Sequence, residues 1–155
     1  MTVKTRKKLV EVALPLEAVN KEALHRKQKA PKGWPATFHK WWSQKPLAVA
    51  RAILFAQLVD DPSANPDLFP TEKDQEKERD RLFALIGDLV LWDNTNNKAV
   101  LERARAEIWK SWQRSCDDNV SHPYAEKFFG GSNLPAFADP FSGSGALPLS
   151  AQWLG

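Results

Sequence analysis

A glycine-containing turn close to the carboxyl terminus carries the residues best suited to chemistry. The heptapeptide DPFSGSG, residues 139–145, follows a short apolar run and precedes an expected helix over residues 146–154. Glycine at positions 143 and 145 allows the backbone to approach a ligand closely, and the first turn of a helix offers N–H groups without partners. The carboxylate of Asp139 can accept hydrogen bonds from an ammonium group or from loop N–H groups. An expected strand over residues 134–138, a glycine turn and a helix, in this order, predict a nucleotide-type cofactor site.

The elements that must position this turn are expected to be mostly helices. Apolar residues recur at helical spacing in several segments, and Pro46, Thr71 and Asn97 stand where helices are expected to begin. Leu47, Ala50, Ile53, Leu54 and Leu58 are expected to form the apolar face of the clearest helix. The predicted helices cover residues 16–29, 46–59, 71–92, 98–116, 124–129 and 146–154. Residues 9–14 are interpreted as either a short strand or an extended arm.

Composition excludes several classes of protein. A chain of 155 residues with 43% hydrophobic residues is long and apolar enough to form one domain with a sizeable core. No apolar run reaches about 18 residues, so no membrane span is expected. The lone Cys116 excludes an internal disulfide and suits a reducing cytoplasm, where we expect a free, buried thiol. The three histidines show no metal-ligand spacing with it, so no metal site is assigned.

Charge is distributed unevenly along the chain. Residues 1–51 hold twelve Lys/Arg and three Asp/Glu, a local balance of +9, whereas the remainder holds ten against sixteen, a balance of −6. The basic part could contact phosphate groups. The alternative is that solvated helix faces differ in charge by chance.

A second group of residues combines cations with aromatic rings. Tryptophan can stack on a base and lysine or arginine can pair with phosphate, so the segment over residues 37–48 is a candidate nucleic-acid contact. The candidate residues are His39, Lys40, Trp41, Trp42, Lys45 and Arg51. The alternative is structural: the tryptophans fill a core, the histidine makes a structural hydrogen bond, and Ser43 caps the helix.

The polar break WDNTNN, residues 92–97, has two interpretations. Its side chains could contact a ligand. The interpretation favoured by residue type is that they satisfy backbone groups between two helices.

These motifs together bring a family resemblance into view. The segments EVALPLEAVN (11–20), TFHKWW (37–42) running into KPLA (45–48), WDNTNN (92–97) and the DPF turn occur in that order. The chain resembles the N-terminal portion of large adenine-specific DNA methylases that begin with a domain of unknown function, and the likeness runs from about residue 9 to residue 155. In that family the DPF turn is the S-adenosylmethionine motif. The resemblance implies that the methionine end of the cofactor is bordered by Asp139, Pro140, Phe141, Gly143 and Gly145.

The sequence departs from the family pattern at several positions. Gln44 and Lys45 stand where a pair of arginines is common, and Ser142 and Ser144 replace smaller residues. The second motif of such enzymes is an acidic or amide residue followed by two prolines and an aromatic residue, which grips the target amine of a flipped base. This chain has no candidate for that motif, nor for the later acidic residue that holds the cofactor ribose. No catalytic residue is therefore assigned.

The resulting expectation is a mainly α chain with two parts. Residues 1–130 would form a helical N-terminal domain, and residues 131–155 the first strand, turn and helix of a Rossmann-like methyltransferase domain. The expected parent function is DNA adenine methylation in host defence or DNA modification, with DNA as a partner. The chain itself is expected to be inactive, as a truncated product, a remnant, or a subunit of a split enzyme whose partner chain supplies the rest. The alternatives are a non-catalytic nucleic-acid-binding module and a structural subunit of a larger complex.

Overall fold

Helices form most of the structure, a computed structural model that describes residues 2–28 and 45–155. The mainly helical expectation is confirmed. The α-helices are α1 (Leu16–Gln28), α2 (Leu47–Leu58), α3 (Glu72–Val90), α4 (Lys98–Asp118), α5 (Ala125–Phe128) and α6 (Ala146–Leu154). Short 3-10 turns lie at Leu9–Glu11, Pro62–Ala64 and Trp92–Asn94. None of the helices in the described ranges is long and apolar enough to cross a membrane.

Helix α2 lies at the centre of the fold. Every residue of α2 except Arg51 and Gln57 is apolar, so other elements have to cover most of its surface. It contacts α1, α3, α4, α6 and the 3-10 turn at Leu9–Glu11. The other helices are therefore arranged around α2.

The apolar face predicted for α2 is wrong at one position. Ile53 was expected to be buried, but it is 41% exposed, whereas Arg51 is 1% exposed. Position 51 lies three residues after Ala48 and four before Phe55, so it shares their buried side of the helix. Because α2 is apolar on all sides, residue spacing alone could not show which side faces solvent.

Helices α3 and α4 follow their sequence patterns closely. The hydroxyl of Thr71 accepts a hydrogen bond from the backbone N–H of Asp74 at 3.2 Å, which confirms the predicted N-cap. The apolar second half of α3 is buried, with Leu85, Ile86 and Leu89 fully inaccessible. On α4, Leu101, Ala104 and Ile108 are buried, whereas Trp109 and Trp112 are half-buried.

In the polar break between α3 and α4, one side chain bonds to the backbone, as residue type favoured, and another bonds to a side chain of the break. The side-chain amide of Asn94 donates to the carbonyl of Asp88 at 2.9 Å, and that of Asn97 donates to the Asn94 side chain at 3.0 Å. Helix α4 begins at Lys98 as expected, although the side chain of Asn97 makes no capping hydrogen bond to it.

Residues 2–8 form an N-terminal arm that ionic contacts hold against the helices. Arg6 pairs with Asp118 through two of its nitrogens, and it also donates to the Asn65 side chain at 2.6 Å. Lys8 pairs with the buried Asp60 at 2.7 Å, and an isolated antiparallel bridge joins the backbones of these two residues. Residues 9–14, interpreted as a short strand or an extended arm, begin instead with the 3-10 turn at Leu9–Glu11.

No strand forms over residues 134–138, where one was expected. These residues have no regular secondary structure, and none of the described residues belongs to a β-strand. A strand needs a neighbouring strand for its hydrogen bonds, and the described residues supply none. The apolar residue Leu134 instead packs against the helical core.

The core is continuous across the boundary proposed at residues 130 and 131. Leu154 of α6 belongs to the same buried cluster as Phe55 of α2 and Leu85 of α3. Cys116 is free and buried, as expected, and this burial raises the pKa of its thiol. The division into two domains remains a prediction.

The buried Asp61 and the half-buried Asp118 make the free energy of unfolding depend on pH. Hydrogen bonds from Arg6 hold the pKa of Asp118 below its ordinary value. Burial alone would raise the pKa of Asp61, but hydrogen bonds from Arg79 and Ser63 outweigh it, and the net pKa is lowered. Both groups therefore stabilise the fold fully above their ordinary pKa of 3.8, and this contribution is lost as pH falls through the lower folded-state values.

We predict that Asp118→Asn lowers the free energy of unfolding at neutral pH and reduces its decline below about pH 4. Urea denaturation across an acidic pH series measures both effects. The control is Glu102→Gln, which changes an exposed carboxyl group on the same helix and should alter neither. A decline in acid as steep in Asp118→Asn as in the unmodified chain would contradict this assignment.

Candidate cofactor turn

Residues 139–145 form a turn whose shape is set by its own hydrogen bonds. The backbone N–H of Phe141 donates to Oδ1 of Asp139 at 3.0 Å, an Asx turn. The N–H of Gly145 donates to the carbonyl of Ser142 at 2.8 Å, which brings the chain to the start of α6. The turn is thus separate from the helix that follows it.

Both glycines of the turn adopt left-handed backbone conformations. The φ angle is +54° at Gly143 and +79° at Gly145. Gly145 is the N-cap of α6, and its carbonyl accepts the hydrogen bond from the N–H of Leu149. A side chain at either position would be strained, so the residue type that suggested close approach to a ligand is also required by the backbone.

The carboxylate of Asp139 has one oxygen without a partner. Oδ1 accepts from Phe141, while Oδ2 is shielded from solvent and accepts no hydrogen bond from the described residues. A shielded carboxylate oxygen costs free energy unless a donor reaches it. It lies in the same turn as the left-handed glycines, where an ammonium or hydroxyl donor would satisfy it.

Phe141 projects from the turn into solvent. Its side chain is 91% exposed, and Phe137 just before the turn is 45% exposed. Neither ring fills the turn or is covered by the core. These rings leave an open apolar edge that a ligand or another polypeptide could cover.

Helix α6 holds the turn against the rest of the fold. Ala146, Ser150 and Leu154 recur every four residues and form its buried face. The hydroxyl of Ser150 is satisfied within the helix because it donates to the Ala146 carbonyl at 2.7 Å. A helix of nine residues is too short to be stable alone, so this packing positions the turn.

Two arginines of other helices anchor the carboxyl end of α6. Nε and an Nη atom of Arg105 donate to the carbonyl of Trp153 at 3.1 and 2.7 Å, where the helix dipole favours a cation. The guanidinium of Arg51 lies 5.4 Å from the centre of the Trp153 ring and donates to the Val90 carbonyl at 3.4 Å.

The second set of candidate residues is only partly described. His39, Lys40, Trp41 and Trp42 lie outside the described residues, and Lys45 is exposed just before α2. Arg51 is buried against Trp153, which gives it a packing role in this structure. Its contact with nucleic acid remains a prediction, and the burial of its guanidinium does not favour it.

Sequence reasoning did not single out Arg105. The residue lies beside the buried face of α4, one position after Ala104 and three before Ile108. A charged residue at such a position is a signal for a buried or half-buried partner. Its partner is a backbone carbonyl 48 residues away, which the sequence does not reveal.

The helical part resembles a family of unknown function. Residues 13–85, slightly less than half of the chain, match the model of a family described as a protein of unknown function (DUF1156). No curated protein and no solved structure matches the chain. The matched residues cover α1, α2 and most of α3 and end before the turn, so the chemistry of the turn has to be argued from its geometry.

We predict that two glycine-to-alanine substitutions change the free energy of unfolding differently. Gly145→Ala should destabilise the chain by about 1–2 kcal/mol, because its backbone is left-handed although no atom lies within 4 Å of an added Cβ. Gly87→Ala, within α3 and equally unobstructed, should be neutral or stabilise by up to about 1 kcal/mol. Urea denaturation measures both. Equal effects would contradict the backbone argument.

Another prediction concerns Arg105, which anchors the carboxyl end of α6. Arg105→Ala should cost about 1.5–3 kcal/mol of stability and speed amide hydrogen exchange over residues 146–154, because it removes charged hydrogen bonds to Trp153. The matched control is Arg103→Ala on the same helix, whose exposed pair with Asp88 should contribute less than about 1 kcal/mol. Unchanged exchange in α6 after Arg105→Ala would show that the anchor is not needed.

Proposed function

We propose that this chain is the N-terminal part of an S-adenosylmethionine-dependent, adenine-specific DNA methyltransferase of the cytoplasm. Residues 139–145 border the methionine end of the cofactor. In this proposal the turn and α6 are the beginning of a Rossmann-like domain. The order of sequence motifs along the chain supports the assignment, and so does the geometry of the turn.

The observation that carries the proposal is the coincidence of three features in one turn. Two left-handed glycines leave space next to the backbone, Oδ2 of Asp139 is shielded and lacks a donor, and α6 begins directly after Gly145. The methionine moiety carries an ammonium and a carboxylate. The Asp139 carboxylate and the first N–H groups of α6, those of Ala146 and Leu147 since Pro148 has none, are their complements, so the residues present fit this group.

The residues of this chain have a binding role in the proposed reaction. Asp139 accepts hydrogen bonds from the cofactor ammonium, the glycines admit the cofactor to the backbone, and Phe141 covers an apolar edge. S-adenosylmethionine supplies an activated methyl group with its own leaving group. The exocyclic amine of adenine is a poor nucleophile, so the base must be extruded and aligned with that methyl group.

This sequence offers no candidate for the residues that grip the target amine, so in this proposal additional polypeptide completes the site. Two observations agree with such an addition. Phe137 and Phe141 are exposed beside the turn, and residues 134–138 lie outside any sheet. An added sheet would give these residues strand partners and cover the exposed rings.

The cofactor proposal is tested by nuclear magnetic resonance on the whole chain. Millimolar S-adenosylmethionine should shift the amide resonances of residues 139–147, and Asp139→Ala should reduce these shifts strongly. Asp67→Ala, which removes an exposed carboxylate in another loop, is the matched control and should leave them unchanged. No shifts in this turn, or equal shifts in Asp139→Ala, would overturn the assignment.

We also expect no methyl transfer by the isolated chain, since it supplies at most one side of the cofactor pocket. Incubation of purified protein with tritiated S-adenosylmethionine and DNA measures transfer directly. Clear turnover would contradict the claim that additional polypeptide must complete the site.

A further inference from the structure

We propose that a groove between the N-terminal arm and α4 binds single-stranded DNA, with one base against its apolar floor and phosphates on Lys4 and Lys7. We call it the arm groove. The choice of DNA as the ligand of this groove rests on the proposed function. The lining of the arm groove includes none of the residues of the cofactor turn.

The arm groove has walls of contrasting character. Its volume is about 190 Å³, and one wall is the basic arm, including Lys4, Arg6 and Lys8. The opposite wall is apolar and includes Trp112 of α4 and Phe129. Grooves that bind single strands combine these two surfaces, because the backbone is anionic and every base has an apolar face.

The aromatic wall is held in a defined orientation. The rings of Trp112 and Phe129 are stacked, with centres 5.9 Å apart and planes 30° apart. The indole N–H of Trp112 donates to the Asn133 carbonyl at 2.8 Å, and His122 packs against Phe129 at 6.0 Å. Rings fixed in this way lose little entropy when a base stacks on them.

The cations of the arm divide into two groups. Arg6 forms a salt bridge with Asp118, and Lys8 forms one with Asp60. Lys4 and Lys7 are exposed, and neither makes a salt bridge in the described part of the chain. Lys4 lines the arm groove. Lys7 lines an adjoining depression that shares Thr5, Arg6 and Lys8 with the groove and also includes Glu11.

Charge complementarity selects a nucleic acid as the ligand. An apolar groove alone would equally suit an apolar peptide, but Lys4 in its wall and Lys7 in the adjoining depression favour an anionic chain. The arm itself is positioned from both sides, because the Asn119 side chain bonds to the N–H and the carbonyl of Lys4 at 2.9 Å each. The backbone of Lys4 is therefore fixed in the groove that Trp112 and Phe129 also line.

The test is fluorescence anisotropy of a labelled oligothymidine of about 12 nucleotides, a length within the range that single-strand binders cover. Lys4→Ala with Lys7→Ala should weaken binding about tenfold or more at low salt. It should also reduce the slope of log affinity against log salt by about 1.4, as two lost phosphate contacts require. The control pair, Lys73→Ala with Lys77→Ala, removes the same charge from exposed positions of α3 and should leave the slope unchanged.

The base contact has its own readout. An abasic oligonucleotide of the same length should bind the unmodified chain about tenfold more weakly than oligothymidine. Phe129→Ala should abolish this difference, and Phe129→Tyr, which keeps the ring, should preserve it. Thermal melting of each variant confirms that the fold is retained.

Three results would overturn the arm groove. They are an unchanged affinity in the Lys4/Lys7 double variant, an equal loss in the Lys73/Lys77 control, and equal binding of abasic and normal strands. Loss of binding only in Lys40→Ala with Lys45→Ala would place the DNA contact in the other segment. Failure of the cofactor titration leaves these measurements unaffected, so the two proposals fail separately.

Discussion

The burial of most of α2 is the constraint on which the rest of the structure depends. A helix with only two polar residues offers little surface that water solvates well, so other elements must cover most of it. Helices α1, α3, α4 and α6 and the 3-10 turn after the arm all contact it. Since α6 is one of these covering helices, the position of the candidate cofactor turn follows from the burial of α2.

The turn and α6 have different roles: α6 supports the turn, and the turn leaves polar and apolar groups available for contact. Helix α6 is held by apolar packing, by Arg105 at its carboxyl end and by the ring contact of Arg51 with Trp153. The turn keeps its two glycines in left-handed conformations, leaves one oxygen of Asp139 without a partner and leaves Phe141 exposed. A rigid support under an open turn is the arrangement that binding sites require.

The excess of basic residues in the first third of the chain is accounted for in part. Arg6 and Lys8 neutralise Asp118 and Asp60 of the acidic remainder, so the two unequal parts of the sequence meet in the fold. Arg51 is buried among the helices. Lys4 and Lys7 remain at the surface beside an aromatic wall, and they are the cations of the described residues on which the arm groove depends.

Local chemistry determined what could be predicted from the sequence. Helix positions, the Thr71 cap, the burial of the second half of α3 and the need for glycine in the turn all depend on residues within a few positions of one another. The strand expected over residues 134–138 failed because a strand depends on a partner that local sequence cannot supply.

Only the tertiary structure decided which side of α2 faces solvent, which arginines are buried, and where the arm lies. Each of these results from contacts between residues far apart in the chain, such as Arg105 with Trp153 and Arg6 with Asp118. The sequence by itself determined a chain of helices ending in a turn that requires glycine. Packing determined which side chains of that chain remain available to a ligand, because burial is a property of the assembled helices.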